Sequence, residues 1–425
     1  MRFVKLVSTL TLAFFVAFAQ SAMAESKPIR IGIVTFLSGP GAAPFGVPAH
    51  NAAVLLFEAL NAGEVPAPYQ TKGFGGTQIE MVVMDEAGPP TSVATRYRQL
   101  VESQNVDMVI GYISSGSCLA VAPIAEELKK LTVFFDCGTP RIFEDASYRY
   151  VFRTNSHAAM DNIGAAKYVT QHFPEAKNIA GINQNYAWGQ DSWRDFEMSM
   201  KALSPDIKIT TSQMPKLFAS QYGGEISALM SSRPDVIHSS FWGGDLEALI
   251  LQGTPRGLFR RSKVVLTTGE TALHALSGRI PDGTIIGARG PHSMFAPDNA
   301  LNRWFSKAYR QRFGMPPVFT SYHIVQAILG TKAAYEKART AAKGKKPDVK
   351  QIITAFEGLT FETPSGETRM RLGKGHQGIQ GTAYGMTKRI DGKTTITNVV
   401  YYPAEEVNPP EGVRSEDWIN SGFAK

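Results

Sequence analysis

Cysteine is nearly absent. Cys118 and Cys137 are the two in 425 residues, which excludes a disulfide-rich scaffold and a four-cysteine metal site. In an oxidising compartment they leave two alternatives open, one bridge or two small buried thiols. Sequence alone does not supply the Cα separation that decides between them. The eight histidines are dispersed, and no H-E-x-x-H is present, so no metal is expected. "YISSGSC" holds adjacent serines but no G-x-S-x-G, and no Gly-Lys-Ser/Thr closes a glycine loop, so hydrolase and P-loop chemistry lack their residues. Charged residues are only 19% of the chain, at a net charge of +7. The basic ones are scattered rather than interleaved with aromatics in a stripe, so nucleic acid is not an expected partner. Beyond Ala24 no apolar run is long enough to cross a bilayer.

What is present begins with a basic start, "MRFVK", an apolar stretch, "LVSTLTLAFFVAFA", and "SAMA". That is the layout of a secretory signal peptide over residues 1–24, cleaved after Ala24. The remainder exceeds the size at which a single core stops growing, so two domains are expected.

Short apolar runs alternate with helical stretches. "IRIGIV", "QIEMVVMD", "VDMVIGY" and "LTVFFD" each precede a helix or turn, and Val93, Tyr97, Leu100 and Val101 fall at helical spacing. Strands buried on both faces, with helices between them, define a parallel sheet. After "YRYVFRTN" the pattern starts again with "NIAGIN", "DIKITTSQ", "DVIHSS" and "KVVLTTG". The fold class is therefore α/β, with two open, parallel, Rossmann-like sheets. The tail after Tyr402, rich in proline and charge, is expected along the surface.

Such sheets place ligands outside the carboxyl ends of their strands. The turns there include "SGPGAAPFG", "YISSGS", "DCGTP", "NQNYAWG", "SSFWGGD" and "TTGET". The first is no dinucleotide loop: Pro44 takes the third glycine's place and lacks the amide a pyrophosphate needs. It reads as a rim that offers Phe45 as an apolar wall. Ser114 and Ser115 precede a helix start, and Asp136, Cys137, Gly138 and Thr139 end the neighbouring strand. Hydroxyls with free amides suit a small carboxylate. The same residues also serve as ordinary N-caps, and spacing alone does not separate the readings.

The order of "IRIGIVTFLSGPGAAPFG", "DEAGPPTSVATRYRQLVESQNVDMVIGYISSGS", "NQNYAWGQD" and "FETPSGETRMRLGKGHQ" resembles the periplasmic binding proteins of the leucine/isoleucine/valine-binding type, receptors of ABC importers for amino acids and amides. The resemblance implies a type I periplasmic binding protein: two lobes joined by hinge strands, one of residues 25–152 plus 288–356, the other of 153–287 plus 357–425. It implies a monomeric, periplasmic, non-enzymatic receptor without cofactor that delivers a small solute to an inner-membrane permease. By that resemblance Ser115 and the Cys137–Thr139 segment hold the ligand carboxylate. Tyr186, Trp188 and Trp242 cover the solute, and Glu270 takes an ammonium group. An amino acid, such as a branched-chain one, is the expected ligand, with an aromatic acid or amide as the alternative. Two features depart from the pattern. Gly88 stands where the leucine-type receptors have a cysteine, and Asp136 sets a carboxylate beside the carboxylate site. The rival classes are an exported enzyme and a ligand sensor, and the chain shows neither a catalytic constellation nor a membrane anchor for them.

Overall fold

The computed structural model describes residues 27–424, so the expected signal peptide and its cleavage site lie outside the described residues. The first apolar runs form β1 (Ile29–Thr35), β2 (Ile79–Asp85), β3 (Met108–Gly111), β4 (Thr132–Phe134) and β5 (Val151–Arg153). Alternation along β1 sends Ile31 and Ile33 to one face and Val34 to the other. Helices Val47–Ala62 and Phe319–Ala341 cover the first face, and helices Pro90–Glu102 and Ser115–Glu127 the second.

The second set is β6 (Asn178–Ile182), β7 (Lys208–Gln213), β8 (Val236–Ser239), β9 (Lys263–Leu266) and β10 (Ile285–Gly287). Late in the chain come β11 (Thr360–Thr363), β12 (Gly366–Arg371), β13 (Gln377–Ile379), β14 (Thr382–Ile390) and β15 (Lys393–Tyr402). One sheet runs β11-β12-β13-β5-β4-β3-β1-β2 and the other β15-β14-β10-β9-β8-β6-β7. Strands β1–β5 and β6–β10 are parallel within their sheets, while β11, β12, β14 and β15 are antiparallel additions. These are two lobes of the type I periplasmic binding fold.

The expected division at residue 357 needs correction. Strands β11–β13 belong to the first sheet, because β13 pairs in parallel with β5; the chain returns to the second sheet only with β14. Crossings therefore fall near Thr154–His157, Ala288–His292 and Gln380–Gly381. They are bound side by side: Ser156 Oγ donates to the Arg289 carbonyl at 2.9 Å, and Gln326 Nε2 donates to Thr154 O at 2.5 Å and Gln380 Oε1 at 2.7 Å.

The tail also differs from expectation. Its charged residues face water, but Val407, Trp418 and Ile419 are buried in the second lobe's core with Tyr168 and Phe196. Helical spacing within Ser415–Asn420 turns the two adjacent apolar residues inward. Cys118 and Cys137 are bridged, with Cα atoms 6.5 Å apart, which ties the helix after β3 to the turn after β4.

Candidate ligand-binding cleft

The carboxyl ends of the two sheets face each other and the lobes are closed. The Gly244 amide donates to the Pro40 carbonyl at 3.1 Å across the gap. Phe36 packs on Trp242 with centroids 5.7 Å apart. Thr139 Oγ1 donates to Asp191 Oδ2 at 2.6 Å, and Arg141 Nη2 pairs with Asp191 Oδ1 at 2.7 Å. Between these contacts lies a narrow cleft.

The first lobe supplies Phe45, Ile113, Ser115, Asp136 and Gly138. Its turn after β1 folds tightly through Gly46, where a Cβ would stand 1.8 Å from the Phe36 carbonyl oxygen. That fold buries Phe45 against Trp242 and Phe319. Ser115 Oγ accepts from the Gly138 and Thr139 amides at 3.2 and 3.1 Å. With both acceptor positions used, its own O–H remains to donate.

The second lobe supplies Tyr186, Trp188, Trp242 and Thr268. Each indole is fixed by its one donor: Trp188 Nε1 to Ser240 O at 2.9 Å, and Trp242 Nε1 to Tyr186 Oη at 2.7 Å. The Tyr186 hydroxyl, an acceptor there, keeps its proton free for a solute. A Cβ at Gly138 would meet the Trp188 ring at 2.3 Å and Arg289 Nη2 at 2.6 Å. Only glycine allows the two lobes to meet there.

Arg289, in the second crossing just after β10, completes the wall. Its guanidinium lies 4.5 Å from the Trp188 ring centroid. It donates from Nε to Asp161 Oδ2 and from Nη1 to Asp136 Oδ1, both at 3.1 Å. Burial pushes both carboxyls up to about 6, against the pull of that cation. His323 Nδ1 lies 2.5 Å from Asp136 Oδ1, and its Nε2 2.9 Å from His292 Nε2. Burial holds both imidazoles well below their ordinary value, hence neutral. Asp136 is thus committed on two sides, which resolves the objection to a carboxylate beside an anion site.

Of the eleven residues expected at the site, Phe45, Ser115, Asp136, Gly138, Tyr186, Trp188 and Trp242 line the cleft. Four do not. The Ser114 amide donates to Glu86 Oε1 at 2.8 Å. Cys137 is turned into the core by its disulfide. Thr139 spends its amide on Ser115 and its hydroxyl on Asp191. Glu270 reaches across the lobes, where Oε2 accepts from the Phe319 amide at 3.0 Å; Oε1 is buried without a partner, and burial pushes the carboxyl up to about 7. Sequence reasoning missed Ile113, Thr268, Arg289 and the buried Glu86, whose Oε2 also holds the Ile113 amide at 2.8 Å. Arg289 follows the apolar run Ile285–Gly287, so the rule about strand ends would have found it had that run been included.

This geometry, two α/β lobes closed on a lined cleft, is that of a solute-binding protein. The sequence matches the periplasmic binding protein family over residues 28–392, and the chain belongs to that family. It is therefore a binding protein rather than an enzyme. It is similar to the Leu/Ile/Val-binding protein homolog 4 of Brucella melitensis, 23% identical over 367 residues, spanning 83% of this chain and 82% of that one. Among solved structures it resembles a solute-binding protein of an ABC transporter from Rhodopseudomonas palustris in complex with 3,4-dihydroxybenzoic acid. That pair has a TM-score of 0.74 and 21% identity, covering 89% of this chain and 98% of that one. An ABC-type branched-chain amino acid transporter protein from the same organism has a TM-score of 0.68 at 21% identity, covering 91% of this chain and 100% of that one.

Proposed function

We propose that the chain is the periplasmic receptor of an ABC importer and that its solute is a small planar aromatic carboxylate. One observation carries the solute class. Asp136, the carboxylate that lines the cleft, is already engaged by Arg289 and His323, and Glu270 is not among the lining residues. An ammonium group buried there would lack a free counter-charge, which costs several kcal/mol. Aromatic walls from both lobes suit a ring. The free protons of Ser115 and Tyr186 suit its carboxylate. Solved structures of the same fold described with benzoate and with 3,4-dihydroxybenzoic acid support the reading, and their description as parts of ABC transporters supports a permease partner.

A branched-chain amino acid is the second reading, favoured by the unpartnered Glu270 Oε1. Titration calorimetry with benzoate, 4-hydroxybenzoate, 3,4-dihydroxybenzoate, leucine and isoleucine tests both. Heat from a benzoate and none from either amino acid is expected, and the converse overturns the solute class.

A further inference from the structure

A larger cavity lies behind the hinge. Its walls come from the segment after β4 and from the β12–β13 connection, with the first crossing and the tail completing it. Arg153, the last residue of β5, is buried in its wall. The acceptors of that guanidinium are all neutral: Gln377 Oε1 at 2.5 Å from Nε, and the carbonyls of Cys137 and Thr139 at 3.1 and 2.6 Å from Nη1. Among the described residues no carboxylate pairs with it. His157, at the first crossing, lines the same cavity, is only 2% exposed, and has a buried Nδ1 with no hydrogen-bond partner. Burial and the neighbouring Arg153 push its imidazole down to about 3, so the ring is neutral and offers one N–H.

The wall also carries two carboxylates, each held by neutral donors. Glu144 Oε1 accepts from Ser415 Oγ and N at 2.5 and 3.2 Å, and Glu411 accepts from the Lys374 amide at 2.7 Å. Arg414 pairs with Asp145 at 2.9 Å. Lys374 stands exposed at the rim with no carboxylate partner among the described residues. A buried guanidinium, a buried imidazole lacking an acceptor and a rim ammonium therefore share one cavity. Glu144, Asp161 and Asp191 act on Arg153 only from a distance, and a carboxylate in direct contact would add two charge-assisted hydrogen bonds.

We propose that this cavity is a second ligand site, separate from the inter-lobe cleft, which takes a small organic carboxylate on Arg153 and His157 with Lys374 at its mouth. Because Arg153 also holds the carbonyls on either side of Gly138, the site shares a residue with the cleft wall. Succinate serves as the probe, titrated calorimetrically into the full mature chain and its variants. Succinate is expected to bind the wild type and the Trp188→Ala variant alike, since that change damages only the main cleft. His157→Leu and Lys374→Glu are each expected to weaken it by about tenfold, the loss of one charge-assisted contact. Lys374 is exposed, so its replacement leaves the fold intact even if the buried histidine does not tolerate leucine. No heat from the wild type overturns the proposal. So does loss of binding in Trp188→Ala, or unchanged affinity in Lys374→Glu together with a folded His157→Leu.

Discussion

The two lobes furnish the cleft in opposite ways. The first presents hydroxyls, amides and a carboxylate, but most of their hydrogen bonds are spent internally: Glu86 on Ile113 and Ser114, and Ser115 on Gly138 and Thr139. The second presents flat apolar rings, each pinned by a single polar tip. A polar wall of this kind is a pre-set frame that offers a few directed protons. The aromatic wall supplies area and exclusion of water. Such a division gives orientation from one lobe and most of the binding energy from the other.

Breaking the junction of the two walls should have the largest effect. Gly138→Ala drives a methyl into Trp188 and Arg289, and solute affinity should fall by about a hundredfold in calorimetry, since overpacking costs a few kcal/mol. Next comes Trp188→Ala, which removes the second lobe's main surface and the cation–π contact of Arg289. A loss of about 2 kcal/mol, roughly thirtyfold, is expected. If Ser115→Ala cost more than this, the assignment of energy to the aromatic lobe would be wrong. Asp191→Asn weakens a latch made only when the lobes are closed. About a tenfold loss is expected, and small-angle scattering should show a more open average shape.

A smaller effect concerns pH. Burial pushes Glu86 up to about 8, Glu270 to about 7 and Asp136 to about 6. The folded chain therefore takes up protons over this range while the unfolded carboxyls stay ionised, and stability falls as pH rises through these values. Below about 6.5 the unfolded histidines protonate, whereas His157 and His238 are pushed down to about 3 and stay neutral in the fold. That contribution has the opposite sign and offsets part of the carboxyls' effect at lower pH. Between pH 7 and 8 the carboxyls prevail, and scanning calorimetry should find the melting temperature lower at pH 8 than at pH 7 by about 2 °C. A melting temperature still rising from pH 7 to 8 would count against the buried neutral acids. Smallest of all, Glu270→Gln should change affinity for an aromatic acid by less than about twofold, because that carboxyl faces the Phe319 amide. A large loss instead would restore the amino-acid reading.

Much of this was legible in the chain. Continuous apolar runs marked β1, β3, β4, β6, β8 and β9, and the rule about strand ends then pointed to Phe45, Ser115 and Asp136, with Trp188 and Trp242 supplied by the family resemblance. What escaped was set by contacts between distant segments. Thr139 and Glu270 sit on the expected turns, but their side chains are claimed by Asp191 and by the amide of Phe319, partners from the opposite lobe. Nothing local to either residue encodes that. The placement of β11–β13 rests on the pairing of β13 with β5, with Gln377 beside Arg153, and a run of three residues carries too little pattern to reveal it.

The C-terminal segment has a mechanical consequence. Trp418 and Ile419 anchor it in the second lobe, while Ser415 and Arg414 hold Glu144 and Asp145 of the first. It acts as a short leash beside the three crossings, so the lobes are free to swing only through arcs that keep both ends attached. Probes at Pro40 and Gly244, which meet across the gap, would consequently part as the lobes swing open.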